Sequence, residues 1–193
     1  MINVGLVGED PNDTVAISKL LSKKYAEKIR FHSLAKRLRG CQLDSPKILK
    51  TLPIDFKDKE CEFIIYVRDL DGFSSEKAKF EAKNKWFTTL DARINGQGIL
   101  LLNIWELECL ILGDIETFNR LYNVNCNFKG DPVMIKDPKG FLMKETAKSK
   151  KKYQESHCRD IFGDLDFEKV SKNCSPFRTF IKNLDEKLSK ERS

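Results

Sequence analysis

Residues Ile2 to Val7 read INVGLV, a short apolar run rich in β-formers, as expected of a buried parallel strand. The following GEDPND is dense in turn formers, and Asp13 or Thr14 is placed to cap a helix. Val15, Ile17, Leu20 and Leu21 then recur at helical spacing. The chain therefore opens strand, acidic turn, helix. Ile29 to Ser33 reads as a second strand, followed by a basic helix or loop. Pro46 and Pro53 bracket a short helix around Ile48 to Leu52. Glu62 to Val67 (EFIIYV) is the strongest strand signal, and it runs into Arg68-Asp69-Leu70-Asp71-Gly72. Ser74 or Ser75 would cap a long polar helix reaching about Leu90. Gly98 to Asn103 (GILLLN) reads as another buried strand. Trp105 to Leu112 reads as an apolar helix carrying Glu106 and Glu108, Phe118 to Tyr122 as a short helix, and 124–138 as loop. From Gly140 onward the pattern is helical and polar.

Strands alternating with helices predict an α/β fold with a mainly parallel central sheet. In such sheets the ligand site lies outside the carboxyl ends of the strands. Both acidic clusters fall there. The boundaries expected are a domain over 1–125 and a C-terminal helical extension over 126–193 packed on it.

Composition narrows the class. The chain has 193 residues, 40% hydrophobic and 33% charged, which suits a globular protein that buries its own core. No run of about 18 apolar residues appears, so no membrane span is expected. The opening MINVGLVGED has neither the basic start nor the long apolar centre of a signal peptide, so a cytoplasmic location is expected. None of the six cysteines forms a CxxC pair, and reduced thiols are expected rather than a zinc site.

The net charge is +6, which favours an anionic polymer as partner. Basic residues cluster at Lys23-Lys24, at Lys36-Arg37-Leu38-Arg39 and along Lys144 to Lys152. Each alone reads as a solvated face; beside an acidic site they read as a phosphate track. Lys36, Arg37 and Arg39 are the candidate nucleic-acid contacts.

The candidate chemistry lies in three carboxylates at two strand ends: Glu9, and Asp69 with Asp71. Residues two apart in extended backbone point the same way, so Asp69 and Asp71 could share one ion. Hard oxygen donors without nearby His or Cys favour magnesium or manganese. Against this stands the plainer reading that the acids cap helices and fill turns.

Gly8-Glu9-Asp10-Pro11-Asn12-Asp13 resembles the opening motif of TOPRIM domains, in which a strand ends in Glu, with Asp10 standing where relatives commonly carry Gly. Arg68-Asp69-Leu70-Asp71-Gly72 resembles the second TOPRIM motif, Asp-x-Asp at a later strand end. Trp105-Glu106-Leu107-Glu108, Asp137-Pro138-Lys139, Tyr153 to His157 and Cys174 to Arg178 are similar to later parts of a TOPRIM-like family of bacterial anti-phage loci. The resemblance implies kinship with the TOPRIM nuclease subunit of the phage anti-restriction-induced system and, more distantly, with overcoming-lysogenization-defect nucleases. It implies a TOPRIM-like Rossmannoid fold, a magnesium- or manganese-dependent endonuclease, and a toxic effector held by an ABC-type ATPase.

The resemblance favours transfer RNA over DNA as substrate, and it allows a homo-oligomer. It also implies that Glu9, Asp69 and Asp71 are catalytic. The implied metal ligands are these three with Glu106, preferred to Glu108 because at most one of that pair faces the site. Asp13 is assigned to capping rather than ligation, and His157 to structure rather than acid catalysis. The alternatives are a non-catalytic binding or regulatory partner of an ABC-type ATPase, and a topoisomerase- or primase-like fragment. The latter is disfavoured because no separate domain supplies a tyrosine nucleophile or a polymerase site.

Overall fold

The computed structural model describes residues 1–35, 43–73, 75–128 and 130–190. Four parallel strands form one sheet: β1 (Ile2–Val7), β2 (Ile29–Ser33), β3 (Phe63–Asp69) and β4 (Gly98–Asn103), in the order β2-β1-β3-β4. The expected α/β class with a parallel sheet is what the chain adopts. Helix α1 (Pro11–Tyr25) links β1 to β2, α2 (Pro46–Asp58) links β2 to β3, and α3 (Lys77–Asp91) links β3 to β4.

Strand order reverses between β1 and β3: the chain leaves β1 toward β2, then returns to the other side of β1. A crevice opens outside the carboxyl ends at such a reversal. Glu9 follows β1 by two residues and Asp69 ends β3, so both stand at this crevice.

Each face of the sheet has its own apolar layer. Val7, Ile64 and Tyr66 pack with Ile48, Leu52, Leu90 and Ile94 on the α2–α3 side. Val4, Leu6, Ile65 and Val67 pack on the other side with Ile17 and Leu21 of α1. That second layer continues into the C-terminal half. There α4 (Cys109–Gly113), α5 (Ile115–Tyr122), α6 (Pro138–Glu145), α7 (Cys158–Asp164), α8 (Phe167–Asn173) and α9 (Ser175–Lys190) follow one another. Leu142, Tyr153, Phe162, Phe177 and Leu184 share one core with β1, β3 and α1. The C-terminal helices therefore complete the cover of this sheet face.

Three local expectations change. Helix α2 runs through Pro53 to Asp58 rather than stopping at the proline. Proline removes one backbone hydrogen bond there, and burial of Ile48 and Leu52 on one face carries the helix past it. Helix α3 starts at Lys77, with Glu76 bending back to accept from Phe73 N at 2.9 Å; Ser74 lies outside the described residues. Helix α4 starts only at Cys109, because Trp105 adopts a left-handed φ of 65° and stops any helix from beginning there. The Trp105 ring is instead held by its indole N–H, which donates to Val133 O at 3.2 Å.

No helix among the described residues is long and apolar enough to cross a membrane. Cys61, Cys109, Cys126, Cys158 and Cys174 are buried and unbridged.

Candidate active site

The turn after β1 is built by reciprocal capping. Asp10 caps α1 by accepting from Asn12 N at 2.7 Å, and Asp13 reaches back to accept from Asp10 N at 3.1 Å. This fixes the Asp13 carboxyl on the first turn of α1, four residues after Glu9. Burial pushes Asp13 up to about 7, and the charges of Asp10, Glu108 and Glu9 add to it against the Asp10 N–H bond.

Successive residues of β3 point to opposite faces of the sheet. Arg68 turns toward α3, where it is 5% exposed and its guanidinium lies 4.4 Å from the centroid of the Trp86 ring. Its Nη1 pairs with Asp44 Oδ1 at 3.0 Å. Its Nε lies 2.6 Å from Glu9 Oε1 but off the hydrogen-bond axis, so that contact is ionic only.

Asp69 turns the other way and accepts from Asn103 Nδ2 at 2.9 Å across the β3–β4 register. Burial raises its carboxyl well above the usual range. Asp13, Glu9 and Glu108 add to the rise, and the Asn103 bond opposes it. Glu108, 4% exposed, is also raised by burial, with Lys139 opposing. It accepts from the Tyr153 hydroxyl at 3.1 Å.

Four carboxyls from four segments are thus electrostatically coupled: Glu9, Asp13, Asp69 and Glu108. The sequence expectation placed two of them here. Asp71 is not among them. The strand ends at Asp69, and Asp71 takes a left-handed φ of 56°, which breaks the alternation that would have aligned the two aspartates. Its carboxylate is exposed and lies 3.4 Å from Lys83 Nζ. Glu106 also stands apart. It pairs with Lys139 Nζ at 3.4 Å and accepts from Lys139 N at 3.4 Å. Of the pair Glu106 and Glu108, the structure brings Glu108 to Asp69. His157 sits with Tyr122, whose hydroxyl is 2.8 Å from His157 Nδ1. Lys36, Arg37 and Arg39 lie outside the described residues. Ala35 lines a small cavity with Gly8 and Asp10.

Asn103, which sequence reasoning left out, and Glu108, which it ranked behind Glu106, carry weight. Asn103 is 2% exposed, and its Oδ1 is buried without a hydrogen-bond partner. A polar residue ending the apolar run GILLLN was the available signal. Glu108 was masked by reading 105–112 as one helix.

In kind, though not in placement, the donors suit a hard divalent cation. All are oxygens, and an orphaned amide oxygen adjoins Asp69. In this arrangement no three His, Cys, Asp or Glu side chains among the described residues are drawn together closely enough to hold one ion. Glu9 is instead drawn to Arg68 and to Lys83, whose Nζ is 3.4 Å away. No family model matches the chain, and no curated protein or solved structure matches it at a significant level.

Proposed function

We propose that the chain is a divalent-cation-dependent nuclease that hydrolyses phosphodiester bonds of nucleic acid. The observation that carries this reading is the coupled set of Glu9, Asp13, Asp69 and Glu108 at the strand reversal, with Asp69 at its centre. Asp13, Asp69, Glu108 and the free oxygen of Asn103 would hold magnesium or manganese, and Glu9 would complete the set on loading. The cation supplies water activation and neutralises charge on the phosphate.

The residues around it have separate tasks. Glu9 is the candidate proton acceptor, since its carboxylate follows β1 at the strand reversal and is partly exposed. Arg68, fixed by Asp44 and Trp86, orients Glu9. Tyr153 and Asn103 orient Glu108 and Asp69. Lys36, Arg37 and Arg39 are proposed to track the nucleic-acid backbone into the crevice.

The narrower parts of the proposal rest on the motif resemblance alone: transfer RNA as substrate, toxicity in an anti-phage system, a cytoplasmic location and restraint by an ABC-type ATPase. A second reading, a non-catalytic partner of such an ATPase, is favoured by one observation: Glu9 is already neutralised by two cations. Incubation of purified protein with labelled tRNA and with plasmid, each with magnesium and with chelator, separates the two. Magnesium-dependent cleavage supports the nuclease, and intact substrates in every arm support the binding partner.

A further inference from the structure

The sheet has two edge strands, β2 and β4, and they are finished differently. A bare strand edge is a template for pairing with another chain, so edges are normally blunted by charge, proline or cover. β2 carries Arg30, which is exposed, and His32, whose Nε2 lies 3.0 Å from Asn3 Oδ1. β4 reads GILLLN, with no charge and no proline. Ile64 N donates to Gln97 O at 2.8 Å and Leu70 N to Asn103 O at 2.9 Å, which turns the main-chain groups of Gln97, Ile99, Leu101 and Asn103 toward β3. Those of Gly98, Leu100 and Leu102 therefore point to the outer edge. The amides and carbonyls of Leu100 and Leu102 meet no hydrogen-bond partner there among the described residues.

A cleft of about 360 Å³ runs along this edge, with Gly98, Ile99 and Leu100 as its floor. One wall is α3, which contributes Phe87, and the other is α9, which contributes Glu186, Lys187 and Lys190. The walls stand on opposite faces of the sheet: Leu100 packs on the α3 side, and Leu101 shares a core with Leu184 of α9. Their chemistry differs. On α3, Phe87 and Phe80 share one stripe; Phe80 is 40% exposed, and Phe87 is fixed by its edge contact with Tyr66 at 5.4 Å. On α9, Glu186 is paired with Lys182 at 4.0 Å, which leaves Lys187 and Lys190 to make that wall positive.

We propose that the β4 edge is a docking site for an extended segment of another protein, alternately apolar and acidic, which adds a fifth strand to the sheet. Such a strand takes its affinity from the outward groups of Leu100 and Leu102. Its side chains alternate between the faces, so every second one meets the aromatic wall of α3 and the others meet the lysines of α9. A second copy of this chain fits less well: its own β4 carries no acid, and two chains of net charge +6 repel. The cleft lies at the amino half of β4, away from the acids at the carboxyl ends, and the proposal holds under either functional reading.

The test is fluorescence polarisation of short fluorescein-labelled peptides against the full chain. The probe alternates valine and glutamate. One control alternates valine and lysine, and the other is the probe N-methylated at every amide. The probe should bind saturably, the lysine peptide on the order of tenfold more weakly, and the N-methylated peptide not at all, because it has no donor for the edge. Leu100→Pro removes one outward amide and spares the ladder to β3; it should weaken the probe about tenfold with the far-ultraviolet circular dichroism unchanged. Lys190→Glu should weaken it about threefold. A probe that does not bind, an N-methylated peptide that binds equally well, or a folded Leu100→Pro protein that binds like wild type overturns the proposal. So does a free chain that sediments as a dimer and that Leu100→Pro returns to monomer, because a second copy then fills the edge.

Discussion

The Tyr153 hydroxyl donates to Glu108 Oε1 at 3.1 Å, and this bond ties the C-terminal half of the chain to the acid cluster. Tyr153 is 2% exposed and Glu108 4%, so neither group has water to fall back on. Tyr153→Phe leaves a buried carboxyl short of a partner and should cost about 1–2 kcal/mol of stability by denaturant unfolding. Cleavage should fall as well, since Glu108 loses its orientation. Unchanged stability and unchanged cleavage would detach this bond from the site.

Arg68 should matter to a similar degree. It is 5% exposed and serves both Glu9 and Asp44. Arg68→Met keeps much of the stem packing against Trp86, takes this partner from Asp44 and leaves Glu9 with Lys83. Breaking a buried pair by removing one partner typically costs about 3–5 kcal/mol. With Asp44 exposed and Glu9 keeping Lys83, the cost here falls below that range, about 1–2 kcal/mol, read as a lowered midpoint in urea. Arg68→Lys should recover only part, because a lysine cannot stack and pair twice in the same geometry.

Stability should depend on pH in a direction set by the acids. Burial pushes the Asp13 carboxyl up to about 7, so between about pH 4 and pH 7 the folded chain keeps a proton that the unfolded chain has lost. The folded state binds more protons, and stability therefore falls as pH rises through that window. Asp69 and Glu108, also raised, act in the same direction. In chelator the melting temperature should be higher at pH 5 than at pH 7.5, and Asp13→Asn should flatten the difference. Magnesium should offset the loss at pH 7.5, because a cation compensates the ionised acids. A melting temperature in chelator that rises from pH 5 to pH 7.5 would contradict this assignment.

Much of this arrangement was legible in the sequence. The strands INVGLV, EFIIYV and GILLLN announced themselves by β-rich apolar runs, and the acid after each of the first two marked the carboxyl edge. What was hidden depended on backbone the pattern does not encode. The left-handed turns at Asp71 and Trp105 separate Asp71 from Asp69 and delay α4 to Cys109. Glu108 thereby reaches the cluster, while Glu106 goes to Lys139. Asp13 was assigned to capping; the N-cap is Asp10, and Asp13 completes its capping box from the third helical position. Its second position, beside Glu9 and Glu108, follows only once α1 is docked on the sheet. Asn103 became visible through pairing with Asp69 across two strands distant in sequence.

Neutralising Lys36, Arg37 and Arg39 together should weaken nucleic-acid binding across sequences. The log–log salt slope should shrink by about two to three. A small phosphodiester substrate should still be cut at a similar rate, since the acids are untouched. Loss of cleavage on both substrates with binding intact would move one of these residues from substrate tracking to the reaction itself.

Cleavage of labelled tRNA by purified wild-type, Glu9→Gln and Asp69→Asn proteins, each with magnesium and with chelator, decides whether the acid cluster is a catalytic metal site. Wild type should cut only with magnesium. Both variants should remain folded and cut slower by on the order of 10²-fold or more. Undiminished cleavage in chelator, or a folded Asp69→Asn protein that cuts as fast as wild type, would contradict it.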